Sequence, residues 1–279
     1  MQIHVRHEFR YTYSNSVKLG PHILHLAPKA YPHQRIIGYD LVIEPQPVKI
    51  VKNMSVESNI QHVVFFGDNT SYLTIKTNVI VQSDDFNVFD FLLYPFDTQQ
   101  LPFNYPENIR TLLHPYLQRD GVTMAIDNFA RQIANTAKWQ TVNFLTHLCQ
   151  YIHQNFVYER REEGLPYPPE HTLTTKKGTC RDFAQLFIAT CRSTGLAARF
   201  VSGYLYGSQQ QAHELHAWAE VYLPGAGWRG FDPTEGGAVI NNHIYLATSV
   251  DAALITPVAG TFGGDGQSLL LAEVDVWEV

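Results

Sequence analysis

The chain has 279 residues, 45% of them apolar and 16% charged, with a formal net charge of −6. That length admits one large domain or two smaller ones, and the balance is that of a folded globular protein rather than a disordered or fibrous one. An acidic chain with no polybasic run offers no electrostatic footprint for nucleic acid or anionic lipid, so neither is expected as a partner.

Residues Met1 to Arg10 contain no continuous apolar stretch of signal-peptide length, and no later segment is apolar for long enough to span a bilayer. A soluble cytoplasmic protein is expected. From Gln2 to Tyr13 the residues alternate, with Ile3, Val5, His7, Phe9, Tyr11 and Tyr13 on one side, which predicts a half-buried strand. The same period recurs at Leu73, Ile75, Thr77, Val79 and Val81. Strand-like runs near Ile36 to Ile43, Val48 to Val56 and His62 to Phe66 lie between them. Residues 1 to 82 therefore read as a mostly antiparallel β unit.

Residues 83 to 121 are rich in Pro, Asn, Asp and aromatic residues without a sustained period, and predict an ordered connector. Helical spacing begins after Gly121 with Ile126, Phe129 and Ile133, and continues with Val142, Leu145, Leu148 and Ile152. A charged, Pro-containing loop from Glu159 to Lys177 follows, then a third helix opening at Cys180. Beyond it, strands are expected at Ala198 to Tyr206, Leu215 to Leu223, Trp228 to Asp232, His243 to Ala247 and Leu269 to Trp277, with a loop at Gly260 to Gly266. The reading is α+β: a β-rich N-terminal domain with connector over 1–120, and a second α+β domain over 121–279.

On a helical wheel begun at Cys180, Phe183, Ala184, Leu186, Phe187, Ile188 and Cys191 share its arc, whereas Arg181, Gln185 and Arg192 fall opposite. Gly178 supplies a sharp entry and Thr179 is placed to cap. Cys180 thus sits at an inward-facing first turn, where unpaired N–H groups and the positive end of the helix dipole favour an anion. Thiolate is the nucleophilic form, and helix N-termini lower a free cysteine's pKa from about 8.5. The same N–H groups offer half of an oxyanion hole. Cys149 and Cys191 read as small buried residues. Three cysteines without paired spacing fit a reducing compartment, and Cys180 and Cys191, about 16 Å apart along one helix, cannot bridge.

An imidazole and a carboxylate complete the nucleophilic chemistry of a thiol, one taking its proton and the other orienting the ring. His216 heads an alternating run in which Trp218, Glu220 and Tyr222 share its face. The turn Pro224-Gly225-Ala226-Gly227 returns the chain to Asp232. For Asp232 to meet His216, paired residue numbers must sum to an even value, as with Trp218 opposite Asp232. That parity requires an odd loop or a bulge near Gly225 to Gly227. Two plainer readings stand beside these. Asp232 before Pro233 is also a turn-former, and His213 with His216 forms a metal-like pair. A zinc-protease helix, however, would need a second His where Ala217 stands. No metal or other cofactor is expected.

The segments GTCRDFAQLFIATCRSTGLAARFVSGY (178–204) and HAWAEVYLPGAGWRGFDPT (216–234) resemble the transglutaminase-like superfamily. The closest resemblance is to bacterial predicted cysteine proteases that carry a β-rich region ahead of the core. The resemblance implies a papain-like α+β core, a central helix packed on an antiparallel sheet, with Cys180 as nucleophile, His216 as base and Asp232 as orienter. It further implies a cysteine-dependent hydrolase acting on a peptide or isopeptide amide of a protein substrate through a thioester. Two alternatives are acyl transfer to an amine by the same groups, and a protein-binding scaffold without turnover. Trp218, Tyr204 and Tyr206 are candidate walls of a substrate groove, the second oxyanion donor is unassigned, and a homodimer is compatible with the sequence. The loop before Gly178, with Glu162-Glu163, Pro168-Pro169 and Lys176-Lys177, departs from the family pattern.

Overall fold

A computed structural model describes residues 1–161, 163–208 and 214–279. Alternation of apolar side chains sets the first layer. Strand β1 (Gln2–Leu24) is longer than expected and pairs antiparallel with β5 (Asn69–Ser83), setting Ile3 against Val81, Val5 against Val79 and Phe9 against Ile75. These pairs put apolar side chains of both strands on one face, which is where cross-strand contacts stabilise a sheet. Adding β2 (Gln34–Glu44), β3 (Lys49–Met54) and β4 (Ile60–Phe65) gives the order β2-β5-β1-β4-β3. The expected antiparallel β unit is present.

The connector holds one short α-helix, α1 (Glu107–Leu113), and single 3-10 turns at Phe96–Gln99 and His114–Leu117. Two amphipathic helices follow, α2 (Met124–Thr136) and α3 (Thr141–Asn155), burying Ile126, Phe129 and Ile133 from the first and Leu145, Leu148 and Ile152 from the second. The expected loop from Glu159 to Lys177 holds a helix α4 (Pro169–Thr175), and its ends are tied by the two-residue parallel strands β6 (Val157–Tyr158) and β7 (Lys177–Gly178). Helix α5 (Cys180–Ser193) then lies across an antiparallel sheet. Its strands are β8 (Ala198–Leu205), β9 (His216–Leu223), β10 (Gly227–Asp232), β11 (Gly237–Ala238) and β12 (His243–Ser249), in the order β11-β10-β9-β8-β12.

This second sheet is buried on both faces. Ala217, Ala219, Val221, Leu223, Phe200 and Phe231 meet Phe183, Leu186, Phe187 and Ile188 of α5, with Phe187 stacked on Phe231. Each of these large side chains stabilises the fold by about 1.5–3 kcal/mol through burial. On the other face, Val201, Trp218 and Tyr245 pack with Val239 and Tyr31. Tyr204, Ile244 and Leu246 pack against Ile3, Val5, Val79 and Val81 of the first sheet and join the two sheets. Among the described residues no helix is long and apolar enough to cross a membrane.

The C-terminal strands correct one expectation. Leu269 to Trp277, read as part of the 121–279 unit, lies in β14 (Ser268–Glu278), which pairs with β1 from Ile3 opposite Glu278 to Tyr13 opposite Ser268. The expected loop at Gly260 begins as strand instead: β13 (Val258–Gly263) pairs with Lys18 to Leu24 of β1. Alternation identifies a strand and its faces, but carries no information about which strand lies beside it.

Candidate active site

Three local devices bring Cys180, His216 and Asp232 together. The first is the start of α5. The backbone N–H and hydroxyl of Thr179 both donate to Asp182 Oδ2, at 2.8 and 2.9 Å, closing the helix end as a reciprocal cap. Gly178 is required by this closeness, because a Cβ there would stand 2.7 Å from that of Asp182. The other oxygen of Asp182 accepts from Tyr167 N at 2.7 Å and Arg161 at 3.0 Å, so one fully buried carboxylate ties the preceding loop to the helix. Arg192, expected on the exposed side of α5, is buried. Its guanidinium donates to the carbonyls of Ala198 and Val250, which satisfy its N–H groups without solvent.

The second device is the β9–β10 hairpin. Gly227 pairs with Leu223 and Phe231 with Ala219, a register whose numbers sum to an even value and whose next step sets Asp232 opposite Trp218. The loop is the odd, three-residue connection that parity demanded. Pro224 and Gly225, with φ of +84° at the glycine and Ala226 N donating to Leu223 O, form a turn that requires a residue free to adopt positive φ. A Cβ at Gly225 would also strike the carbonyl of Leu92, so the connector lies against this turn. The third device is the turn after Asp232, whose Oδ1 accepts from Thr234 N at 2.9 Å and Glu235 N at 3.3 Å. Asp232 is therefore both turn-former and ligand of the imidazole, two readings that the sequence had set against each other.

The arrangement is dry. Cys180 is 4% exposed, His216 and Asp232 1% each. His216 Nε2 lies 2.6 Å from Asp232 Oδ2, and the ring shares a side-chain hydrogen bond with Cys180. Burial alone would lower the imidazole pKa. The Asp232 charge and hydrogen bond, with the Cys180 contact, outweigh burial and push it up to about 10. Burial likewise opposes ionisation of Asp232, yet the charge of His216 and hydrogen bonds from His216 and His243 hold it well below the usual carboxylate range. Both shifts favour the charged form of each group, an imidazolium facing a carboxylate.

The candidate groove walls are not brought to this site. Trp218 is fully buried under it, its ring edge-on to His243 and Tyr245. Tyr204 is equally buried, in the seam between the two sheets, where its hydroxyl meets His7 Nδ1 at 2.9 Å, and Tyr206 is half-buried at the rim of the same cluster. Alternation placed Trp218 on the face of His216 correctly, but there it is packed among Val201, Val239, Tyr245 and Tyr31 of the segment between β1 and β2. The residue that the sequence reading missed is His243, whose Nε2 lies 3.0 Å from Asp232 Oδ2. It heads a strand and no spacing marks it. His216, Asp232 and His243 also form a buried group whose donor atoms lie within 4.8 Å of one another, the kind of set that could hold a metal ion. Both Nε2 atoms converge on one carboxylate oxygen at hydrogen-bond distance, which accounts for the cluster without an ion. His213, half of the other metal reading, and Glu162 lie outside the described residues. Tyr158 stands beside the cysteine helix, paired across β6 and β7 with Gly178, and its hydroxyl donates to Glu214 at 3.2 Å.

An uncharacterised protein of Mycobacterium tuberculosis (strain H37Rv) is 27% identical over 98% of this chain and 91% of its own length. A protein-glutamine gamma-glutamyltransferase of Pseudomonas aeruginosa is 29% identical over 31% of this chain and 14% of that protein. The crystal structure of a candidate cysteine protease from Cytophaga hutchinsonii superposes with a TM-score of 0.76 at 20% identity, covering all of this chain and 91% of the other, and so shares its fold. Residues 3–82 match the bacterial transglutaminase-like N-terminal region, and residues 127–233, which contain Cys180, His216 and Asp232, match the transglutaminase-like core. The chain belongs to the transglutaminase-like superfamily.

Proposed function

We propose that the protein is a cysteine-dependent hydrolase that cleaves a peptide or isopeptide amide through a thioester, with Cys180 as nucleophile, His216 as acid and base, and Asp232 as orienter. The observation that supports the reading most is the buried His216–Asp232 pair at 2.6 Å, with the Cys180 side chain among the groups that raise the imidazole pKa. With the thiol proton resting on the imidazole, Cys180 Sγ attacks the amide carbon and the carbonyl electrons move to oxygen. The N–H of Cys180, ahead of the N–H groups of Asp182 and Phe183 that bond to Thr179 O, stabilises that oxyanion. As the C–N bond breaks, His216 gives its proton to the departing amine and leaves a thioester. Neutral His216 then takes a proton from water as the hydroxyl adds, and collapse expels the thiolate with the carboxylic acid.

A primary amine in place of water would give a transglutaminase by the same steps. Hydrolysis is favoured because water is always at hand and none of the described residues around Cys180 specifies an amine. The free, mutually unbridged Cys149, Cys180 and Cys191 suit a reducing compartment such as the cytoplasm. Incubation with a peptide library, with and without an added alkylamine, separates the outcomes by product mass. Hydrolysed peptides that disappear with Cys180→Ala support the reading. Amine adducts alone would replace hydrolysis by acyl transfer, and no Cys180-dependent product of either kind would leave a binding scaffold.

A further inference from the structure

We propose that His243 is a positioning residue of this site: a second imidazole that holds the Asp232 carboxylate so that Oδ2 stays aimed at His216. The inference rests on the reading of Cys180 as nucleophile. His243 is 3% exposed and opens β12, with its Nε2 lying 3.0 Å from the same oxygen that His216 approaches to 2.6 Å. Its other nitrogen, Nδ1, accepts the backbone N–H of Ile240 at 3.4 Å. A ring nitrogen that accepts a hydrogen bond carries no proton, so the proton of the neutral ring is on Nε2 and is donated to Asp232.

With Thr234 N and Glu235 N on Oδ1, the carboxylate then has four donors, two on each oxygen. Rotation of the Asp232 side chain would break all four at once. His243 does not compete for the thiol, because Ile240 occupies its second nitrogen; it acts through Asp232. The edge-on contact of its ring with Trp218 at 5.1 Å fixes the plane from which the hydrogen bond is given. Trp218 therefore serves the site from beneath. Outer partners of this kind orient a working imidazole as much as its direct ligand does.

The experiment compares His243→Phe, which keeps a ring but loses the donor, with His243→Gln, whose amide N–H can replace Nε2. Two quantities are read in the full-length protein. They are the rate of Cys180 alkylation by iodoacetamide at pH 6.5, resolved by peptide mass, and the tautomer of His243 by long-range proton–nitrogen NMR of histidine-labelled protein. The expected result is about a tenfold or larger loss of alkylation rate in His243→Phe, the scale of losing a hydrogen bond to a charged group, with most of it recovered in His243→Gln. A neutral Nε2–H tautomer is expected in the unaltered protein. A folded His243→Phe that reacts at the original rate, a Gln variant no faster than Phe, or a proton on Nδ1 would each overturn the inference. Should the Phe variant not fold, the tautomer and the Gln rate decide. If Cys180 in the unaltered protein reacts no faster than Cys149, it is the nucleophile reading that fails, before His243 is tested.

Discussion

Replacing Asp232 by Asn changes one atom in kind and almost nothing in shape, and the four donors around the carboxylate make the cost calculable. If the amide oxygen stays with Thr234 N and Glu235 N, the NH2 group faces His216 Nε2 and His243 Nε2, which both donate in the parent protein. If the amide turns over, the NH2 group faces the two backbone N–H groups instead. Either way two buried donors lose their acceptor, at about 1–3 kcal/mol each. His216 can relieve its share by moving its proton to the nitrogen that faces Cys180. In that tautomer it cannot take the thiol proton. Without the Asp232 charge its pKa falls from about 10, since burial is then opposed only by the Cys180 contact. Loss of the orienting carboxylate in a nucleophile–histidine pair costs about 10⁴-fold in turnover where the ring is left in the wrong tautomer. The expected outcome is a folded protein with a lower unfolding midpoint, turnover reduced by about three to four orders of magnitude, and slowed Cys180 alkylation. Urea unfolding, alkylation kinetics and histidine NMR measure the three. A variant whose Cys180 alkylation matches the parent while His216 still titrates near 10 would refute the reasoning.

Further outcomes follow from the same geometry. Iodoacetamide at neutral pH is expected to modify Cys180 well before Cys149 or Cys191, which are wholly buried and whose thiols burial pushes far up; equal slow labelling of all three would contradict the site. His216→Ala should slow the Cys180 reaction and steepen its rise with pH, whereas an unchanged profile would show that the two side chains are not coupled. Asp182→Ala removes the acceptor of Thr179, Tyr167 and Arg161 together and strands a partly buried guanidinium, a change of about 3–5 kcal/mol. Proteolysis near Tyr167 should rise with it, and a midpoint shift within error would disprove the anchoring role. The His216–Asp232 pair should contribute most between about pH 4 and 6.5. His7 and His33, whose pKa values burial lowers to about 3 and about 4, oppose stability as pH falls through that range, so the midpoint should peak at about pH 6.5. The raised His216 contributes fully below its unfolded value and is lost as pH rises towards 10, while the depressed Asp232 contributes above about 4 and is lost on acidification. Asp232→Asn should flatten both limbs, and a midpoint that climbs between pH 7 and 9 would contradict the pairing.

Much of this was legible in the chain because the signals are short-range. Alternation at Ile3 to Tyr13 and Leu73 to Val81 marked two long strands, the wheel from Cys180 marked a buried helix, and a parity argument on one hairpin set Asp232 diagonal to His216. What escaped depends on partners distant in sequence. Tyr204 looks like a groove wall until the first sheet is laid against it, and Trp218 until Val201, Val239, Tyr245 and Tyr31 close around it. Arg192 looks solvent-facing until the carbonyls of Ala198 and Val250 arrive to accept from it. His243 has no periodic or motif signal. Its role exists only because β12 runs on the far edge of the sheet from β10 and its first residue reaches back over Trp218.

The antiparallel pairing of β14 with β1 bears on how the chain matures on the ribosome. Tyr13 meets Ser268 and Ile3 meets Glu278, so an early-made strand keeps an open flank until some 250 further residues have been synthesised. During that interval the nascent sheet exposes backbone groups that invite pairing with the wrong chain. Leu269 and Leu271, exposed in the finished protein, add apolar character to the late-arriving strand. Closure by a strand so distant in the chain makes the stretch from β1 to β14, rather than either half of it, the unit that must be protected from aggregation while it is born.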